Sequence, residues 1–279
     1  MLERPDPVNW STLRYILTSP KHYRHALVTP REDTEALLLG RLTHCMVYEP
    51  GHVDSRYLLA PRFHRGQKDE TARANGYDGG RESAGAFDEL ARQSGADIVK
   101  PEIYARAAAC RDAILADPIA GPMVTGGYSE QKLTWTDPET GIECRGRVDH
   151  INGRVTDLKT TRNISPRLFG SDAARYGYHA QLAWYSSGVA ANGIATLDTP
   201  ANIAVENEAP HDVAVYLLPD DALRSGRKMF REALDILARC RERDEWPGVS
   251  GGALGTLALP AWAAPIEAEE ITLGGQPIF

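Results

Sequence analysis

Cysteine is scarce and never paired. Cys45, Cys110, Cys144 and Cys240 stand singly, with no Cys-x-x-Cys anywhere. Zinc and iron–sulfur sites usually show at least one close pair, so the four read as reduced thiols, some of them buried. Long apolar runs are also missing. No stretch of about 18 or more apolar residues occurs, which excludes a membrane-spanning helix of the ordinary kind. Met1-Leu2-Glu3-Arg4-Pro5 lacks the apolar core of a signal peptide. A cytoplasmic protein with no membrane attachment is expected. Positive charge is in deficit: 31 Lys and Arg face 38 Asp and Glu, a net charge of -7. That argues against a chain coated in nucleic acid, but a global sum leaves room for a local basic groove. No internal repeat is found.

What remains is an ordinary globular composition in 279 residues, 42% hydrophobic and 25% charged. The first part reads as helical. Ser11 is a candidate cap for a helix over Thr12–Leu17, and Ser19-Pro20 restarts a second. A third runs from Thr34 to Tyr48 and ends before Pro50, with Leu37, Gly40, Arg41, His44 and Tyr48 on one face. Residues 61–80 are polar and predict a long mobile loop. Helices follow over Arg81–Ser94 and Pro101–Ala116.

The period then changes. Strands are expected over Glu130–Thr136, Ile142–His150 and Arg154–Thr160, divided by turns at Asp137–Gly141 and Asn152-Gly153. Ser165-Pro166 opens a short helix, and a longer one spans Tyr178–Ala190. Strands near Ile203–Glu206 and Val213–Leu218 precede a helix over Asp221–Arg243. The fold class that follows is α/β or α+β: a central mixed β-sheet flanked by helices, with a helical N-terminal subregion. One domain over 1–249 is expected, helical in 1–120 and sheet-bearing in 121–249, followed by an irregular arm over 250–279.

The chemistry concentrates between Cys144 and Thr161. Side chains alternate faces along a strand, and cross-strand partners share a face. A two-residue Asn152-Gly153 loop would turn Asp149 away from Asp157. An odd-length loop instead puts Asp149, Asp157 and Lys159 on one face, with Val148 and Leu158 on the other. The second arrangement separates polar from aliphatic groups. It predicts a three-residue or bulged turn with Gly153 at positive φ. Two carboxylates on one face suit Mg²⁺ or Mn²⁺. Water on such an ion is acidified toward attack on a phosphodiester, and a lysine two residues along can orient it or neutralise the phosphate. The bland alternative is a surface hairpin with incidental charges, since Asp-x-Lys alone is common.

These residues resemble the PD-(D/E)xK nuclease superfamily, with Asp149 as the first acid, Asp157-Leu158-Lys159 as the second element, and Val148 where the pattern has proline. More narrowly, the chain resembles RecE (exonuclease VIII)-like phage-type exonucleases over roughly residues 10–247. The likeness includes Ser19-Pro20-x-His22-Tyr23, Gly40-x-x-x-His44 with Glu49-Pro50, Glu130 before Trp135, Thr140-Gly141-x-x-Cys144-Arg145, and Tyr178-His179-x-Gln181-x-x-x-Tyr185-Ser186. It implies a restriction-endonuclease-like core. Metal ligands would be His44, Asp149, Asp157 and Glu130, and Lys159 the catalytic lysine. Gln181 and Tyr185 would form the glutamine–tyrosine motif behind the site.

Relatives usually have Pro-Asp-Lys where this chain has Val148-Asp149-His150, so His150 is expected to replace a phosphate-binding lysine in part. Arg145, Arg147 and Arg41 are further candidate DNA contacts, and Lys21 and Arg24 weaker ones. Glu206 also matches the family but suggests no role. The resemblance implies digestion of linear double-stranded DNA from 5′ to 3′, a 3′ single strand for an annealing protein, and a ring-shaped homo-oligomer around DNA. Competing readings are an endonuclease, a CRISPR-adaptation-type nuclease, which ordinarily carries an iron–sulfur cluster, and a non-catalytic DNA-binding protein on the same fold.

Overall fold

The computed structural model describes residues 6–30, 32–260, 263, 272–273 and 276–277. The chain opens with α1 (Trp10–Leu13), which tightens into a 3-10 turn over Arg14–Leu17. Asn9, not Ser11, caps it: Asn9 Oδ1 accepts from Thr12 N at 2.9 Å, and the Ser11 hydroxyl donates to the same oxygen. An asparagine in extended conformation places its carbonyl over the orphan amides, which a serine inside the first turn cannot do. Ser19 does cap α2 (Pro20–Val28), accepting from His22 N at 3.3 Å.

Next come α3 (Glu35–Tyr48), α4 (Val53–Arg56) and β1 (Tyr57–Leu59). The expected mobile loop over 61–80 is in fact folded. It contains α5 (Asp69–Ala74), and Asp69 accepts from the backbone of Gly80 at 2.8 Å and Ser83 at 3.1 Å. One carboxylate thus ties the stretch to α6 (Arg81–Ser94). β2 (Asp97–Val99) pairs in parallel with β1; three residues are too few for the sequence to show a period. Helices α7 (Pro101–Ala116) and α8 (Ala120–Met123) complete the helical part.

The sheet contains β3 (Tyr128–Thr136), β4 (Glu143–Ile151), β5 (Val155–Thr161), β6 (Ala201–Glu206) and β7 (Val213–Leu217), in that spatial order. Only β5 and β6 run parallel. Their crossover is made by α9 (Pro166–Tyr176) and α10 (Tyr178–Ala191), as a parallel connection requires. The long α11 (Asp220–Arg243) packs on α10. Val148, Leu182, Ala183 and Leu223 make the core on the α10–α11 face, while Tyr48, Cys110, Ile114, Leu158 and Ile203 make the core beneath α3 and α7.

Two further short strands, β8 (Thr272–Leu273) and β9 (Gln276–Pro277), pair within the C-terminal arm, whose residues 251–260 hold no helix or strand. The rest of the expected irregular arm lies outside the described residues. Among the described residues, no helix is long and apolar enough to cross a membrane.

Asp137 anchors the β3–β4 turn. It is buried and takes two hydrogen bonds from Arg231 of α11, at 2.6 and 3.0 Å. α11 meets α10 most closely at Gly226, where an added Cβ would lie 2.5 Å from the His179 carbonyl oxygen. In an open helix interior, glycine to alanine stabilises by roughly 0.5–1 kcal/mol. Gly170 in α9 has nothing within 4 Å of such a Cβ, so Gly170→Ala is expected to gain about that much. Gly226→Ala should instead lose roughly 1–3 kcal/mol, because backbone cannot step aside. Denaturant midpoints of the two variants should move in opposite directions.

Candidate active site

The site begins with a fork. β4 and β5 pair only at His150↔Thr156 and Ile151↔Val155, around the three-residue turn Asn152-Gly153-Arg154. This is the odd-length turn expected from the sequence, with Gly153 at φ +68°. Beyond that point β5 leaves β4 and pairs with β6 over its length. The opening leaves the Leu158 amide without a strand partner on the β4 side, and the Asp149 carboxylate fills the place, accepting from Leu158 N at 2.9 Å.

The expected partition of faces is corrected. Val148 packs against α10, whereas Leu158 packs on the opposite side of the sheet, beneath α3 and α7. Alternation along β4 reverses between Val148 and His150, since His150 stacks on Tyr48 of α3 at 5.5 Å. Opposite this reversal Glu130 interrupts the β3–β4 register and takes φ +54°, rare for a non-glycine residue. Asp149, Asp157 and Lys159 therefore meet in the mouth of the fork rather than on one flat face.

Helix α3 supplies the lid of this mouth. A Cβ on Gly40 would come within 3.2 Å of the Thr160 hydroxyl, so α3 lies close on β5 at this point. One turn later His44 bridges two acids: Nε2 is 2.6 Å from Asp149 Oδ2, and Nδ1 is 2.8 Å from Glu130 Oε1. Burial alone would push its pKa down, but the two carboxylates outweigh burial and raise it to about 10. His44 is thus an imidazolium in this arrangement, donating from both nitrogens.

On the other side of the fork Lys159 Nζ lies 2.5 Å from Asp157 Oδ2, 3.1 Å from Gln181 Oε1, and 4.8 Å from the centre of the Tyr178 ring. Gln181 Nε2 donates to the Tyr185 hydroxyl at 2.9 Å, which fixes which amide atom faces the lysine. Burial works against the Lys159 charge, but Asp157 and Asp149 hold its pKa above the ordinary value. Asp157 is raised to about 6, by burial first and by Asp149 in addition, with Lys159 opposing. Asp149 moves down despite burial, because of His44, Lys159 and the Leu158 amide.

A chain of alternating charge runs outward. Glu130 also pairs with Arg147, Arg147 with Glu49 at 2.9 Å, and Glu49 with Arg56 at 2.8 Å. Four carboxylates (Glu49, Glu130, Asp149, Asp157) face four cations (Arg56, Arg147, His44, Lys159). Glu49, Arg56 and Tyr178 had no assigned role in the sequence. The Glu49-Pro50 and Tyr178-His179 motifs were the available signals.

Not every expected residue is placed as expected. His150 is fully buried, holds the Ser129 hydroxyl at 2.9 Å, and has its pKa lowered by burial. It is a neutral core residue and cannot replace a phosphate-binding lysine. Arg41 is bound by Asp33 and Asp97 at 2.6 and 2.9 Å, which removes it as a ready phosphate ligand. Arg147 reaches the site, but through Glu130. Arg145 is exposed and has no ion partner among the described residues.

The donor set fits a hard divalent cation. The buried Asp157 carboxylate meets the Lys159 ammonium at 2.5 Å, and its other oxygen has no donor among the described residues. Such a carboxylate is costly to bury without a further cation or donor. The described residues nonetheless hold no ready-made cage of three or more His, Cys, Asp or Glu. His44, Glu130 and Asp149 are closed on one another, as the hydrogen bonds above show. Two carboxylates with water completing the shell are enough for Mg²⁺.

The family model described as a PDDEXK-like domain of unknown function (DUF3799) matches residues 9–254. The chain belongs to this family. No curated protein matches it. Among solved structures, one from Eubacterium rectale described as a "Putative exonuclease" superposes with a TM-score of 0.56 at 13% identity, covering 93% of this chain and 94% of that one. At this identity the match establishes the shared fold, a five-stranded mixed sheet flanked by helices.

The raised pKa of His44 has a signed consequence. A group lifted from 6.5 to about 10 on folding contributes its full stability below pH 6.5 and loses it as pH rises through 10. His44→Gln cannot take the charge. In EDTA, its destabilisation should be on the order of a few kcal/mol near pH 6.5 and should shrink steadily toward pH 10. Denaturant melts across that range check this. A pH-independent difference would mean that His44 is neutral.

Proposed function

We propose that this chain is a divalent-metal-dependent exodeoxyribonuclease acting on linear double-stranded DNA. The observation that carries the proposal is the convergence of Asp149, Asp157 and Lys159 in the fork between β4 and β5. The family match and the exonuclease description of the structural neighbour support the same class.

Asp149 and Asp157 are the proposed ligands of Mg²⁺ or Mn²⁺, with Glu130 as a further acid and His44 available as a ligand once it gives up its proton. The ion, when bound, supplies an acidified water and neutralises phosphate charge. Lys159 stays protonated and points its ammonium at the same mouth, where it can hold the attacked phosphate or the attacking water. Gln181 and Tyr178 fix its position, and Tyr185 fixes Gln181. Arg147 is within reach of a phosphate once it releases Glu130. The likeness to RecE-type exonucleases supports digestion from 5′ to 3′, delivery of a 3′ strand to an annealing protein, and a ring-shaped homo-oligomer in the cytoplasm.

The four cysteines bear on the alternative with an iron–sulfur cluster. Cys45, Cys110 and Cys144 are buried in three separate core clusters, so the described residues do not gather them into a cluster site.

A time course on linear duplex labelled at either end, with covalently closed circular DNA as control, tests the function. Linear DNA should be shortened from its 5′ ends with Mg²⁺, stop in EDTA, and leave the circle intact. Asp157→Asn and Lys159→Met should each lower the rate by about 10²-fold or more while the protein stays folded. Undiminished digestion by Asp157→Asn would refute this site.

A further inference from the structure

Outside the fork, one surface groove collects cations without collecting acids. It lies between α2 and the segment that follows α11, and is lined by Lys21, Arg24, His25, Val28, Trp246 and Gly248. The four α2 residues follow i, i+3, i+4, i+7 spacing, so they form one stripe. The groove is held open by backbone and rings: Lys21 N donates to the Pro247 carbonyl at 3.1 Å, and Trp246 stacks on Tyr23 at 6.2 Å. The Arg24 guanidinium sits 5.4 Å over the Trp246 ring. Arg241, near the end of α11, reaches Tyr23 from behind.

Lys21 and Arg24 are exposed, and neither has an ion partner among the described residues. The nearest acids in sequence are Glu245 and Asp244; Asp244 accepts the Trp246 indole N–H at 3.1 Å, and neither lines the groove. Lys21 and Arg24 differ in this from the cations around the fork, where Arg56, Arg147 and Lys159 are all bound by carboxylates.

Strand β4 carries two further exposed arginines. Arg145 and Arg147 stand on β4 ahead of Asp149, the nearer two residues away and the farther four, or about 7 and 13 Å along a strand. Arg145 lines a second depression together with Tyr23 and Leu27 of α2, the side of that helix opposite Lys21 and Arg24. Asp6 is the one acid lining that depression. From Asp149 outward, the cations therefore run Arg147, Arg145, and then across α2 to Arg24 and Lys21.

We propose that the α2–Trp246 groove binds the phosphodiester backbone of a nucleic-acid strand running to or from the fork. Lys21 and the ring-supported Arg24 take phosphates, and Trp246 and Val28 wall a sugar or base. An anchored guanidinium loses less freedom on binding than a free one, which suits Arg24 to the task. The assignment rests on the nuclease reading for its direction, but binding itself does not require hydrolysis.

The test is anisotropy titration of the full chain with labelled single-stranded and duplex oligonucleotides, in EDTA, across a salt series. Lys21→Ala/Arg24→Ala should weaken binding about tenfold at low salt, with little dependence on sequence. The slope of log affinity against log salt should fall by about 1.4 for two single-strand phosphates. Arg24→Gln alone should give about half that change in slope, and melting temperatures should not move, since the side chains are exposed. Whether single-strand or duplex binding is lost identifies the strand's form. Equal affinity and slope in the double variant would overturn the proposal. So would a change of oligomeric state in that variant with DNA affinity unchanged, which would assign the groove to a second copy of the chain. Failure of the nuclease reading would appear separately, as binding in EDTA that is not followed by hydrolysis when Mg²⁺ is supplied.

Discussion

The site depends on one hydrogen bond that replaces another. Where β5 turns away from β4, the Leu158 amide loses a strand acceptor and the Asp149 carboxylate takes that place. A buried amide without an acceptor would cost about 1–3 kcal/mol, so the fork and the carboxylate require each other. Once Asp149 is fixed in the fork, Asp157 and Lys159 are carried to the same mouth by the path of β5. His44 is carried there by α3, which can lie so close because residue 40 is glycine. On the opposite side, Gln181 and Tyr178 come from the first turn of α10, part of the crossover that the parallel β5–β6 pairing makes necessary.

Such a site is expensive in a fold without a bound cation. Four carboxylates crowd the fork and its rim, and Asp157 is buried with the Lys159 ammonium against one oxygen and no donor on the other. The protein offsets this with its own four cations, Lys159, His44, Arg147 and Arg56, in an alternating chain. The arrangement is neutral only if His44 is charged, and the two flanking acids hold it charged. Hydrophobic packing could fill the same volume at lower cost. Retained buried charge of this kind is therefore better explained by chemistry at the site than by stability.

The β4–β5 hairpin was legible in the sequence because strand-like runs flank the Asn152-Gly153 signal. Parity alone required an odd-length turn, and the turn has three residues. What parity could not show was the reversal near Asp149. That depends on Glu130 adopting a positive φ across the strand, and nothing in the residue type announces it. The same blindness explains His150. Its place beside Asp149 suggested a site residue, yet the reversal turns its ring beneath Tyr48 and into the core. Arg41 and Arg147 were legible as cations but not as partners, because ion pairs across Asp33, Asp97, Glu49 and Glu130 are set by tertiary placement. The folded stretch at 61–80 was hidden for a similar reason: tertiary contacts such as Asp69 on the Gly80 and Ser83 amides and Arg65 on Asp88 order a segment whose composition is that of a loop.

The charge balance of the site constrains how a polyanion could enter it. A neutral array has little long-range pull on phosphate, and the overall negative charge repels it. On the nuclease reading, attraction must then come from cations that no carboxylate holds, and Arg145, Arg24 and Lys21, outside the fork, are of this kind. On the proposed metal dependence, a divalent cation held by Asp149 and Asp157 would add positive charge to the fork and leave His44, Lys159 and Arg147 less fully paired. Arg147 would then be available to phosphate, and Glu130, its present partner, would be available as a further ligand. Cation and DNA would each favour arrival of the other at the fork. Binding in the outer groove would not depend on either, so the two places separate capture of the strand from its hydrolysis.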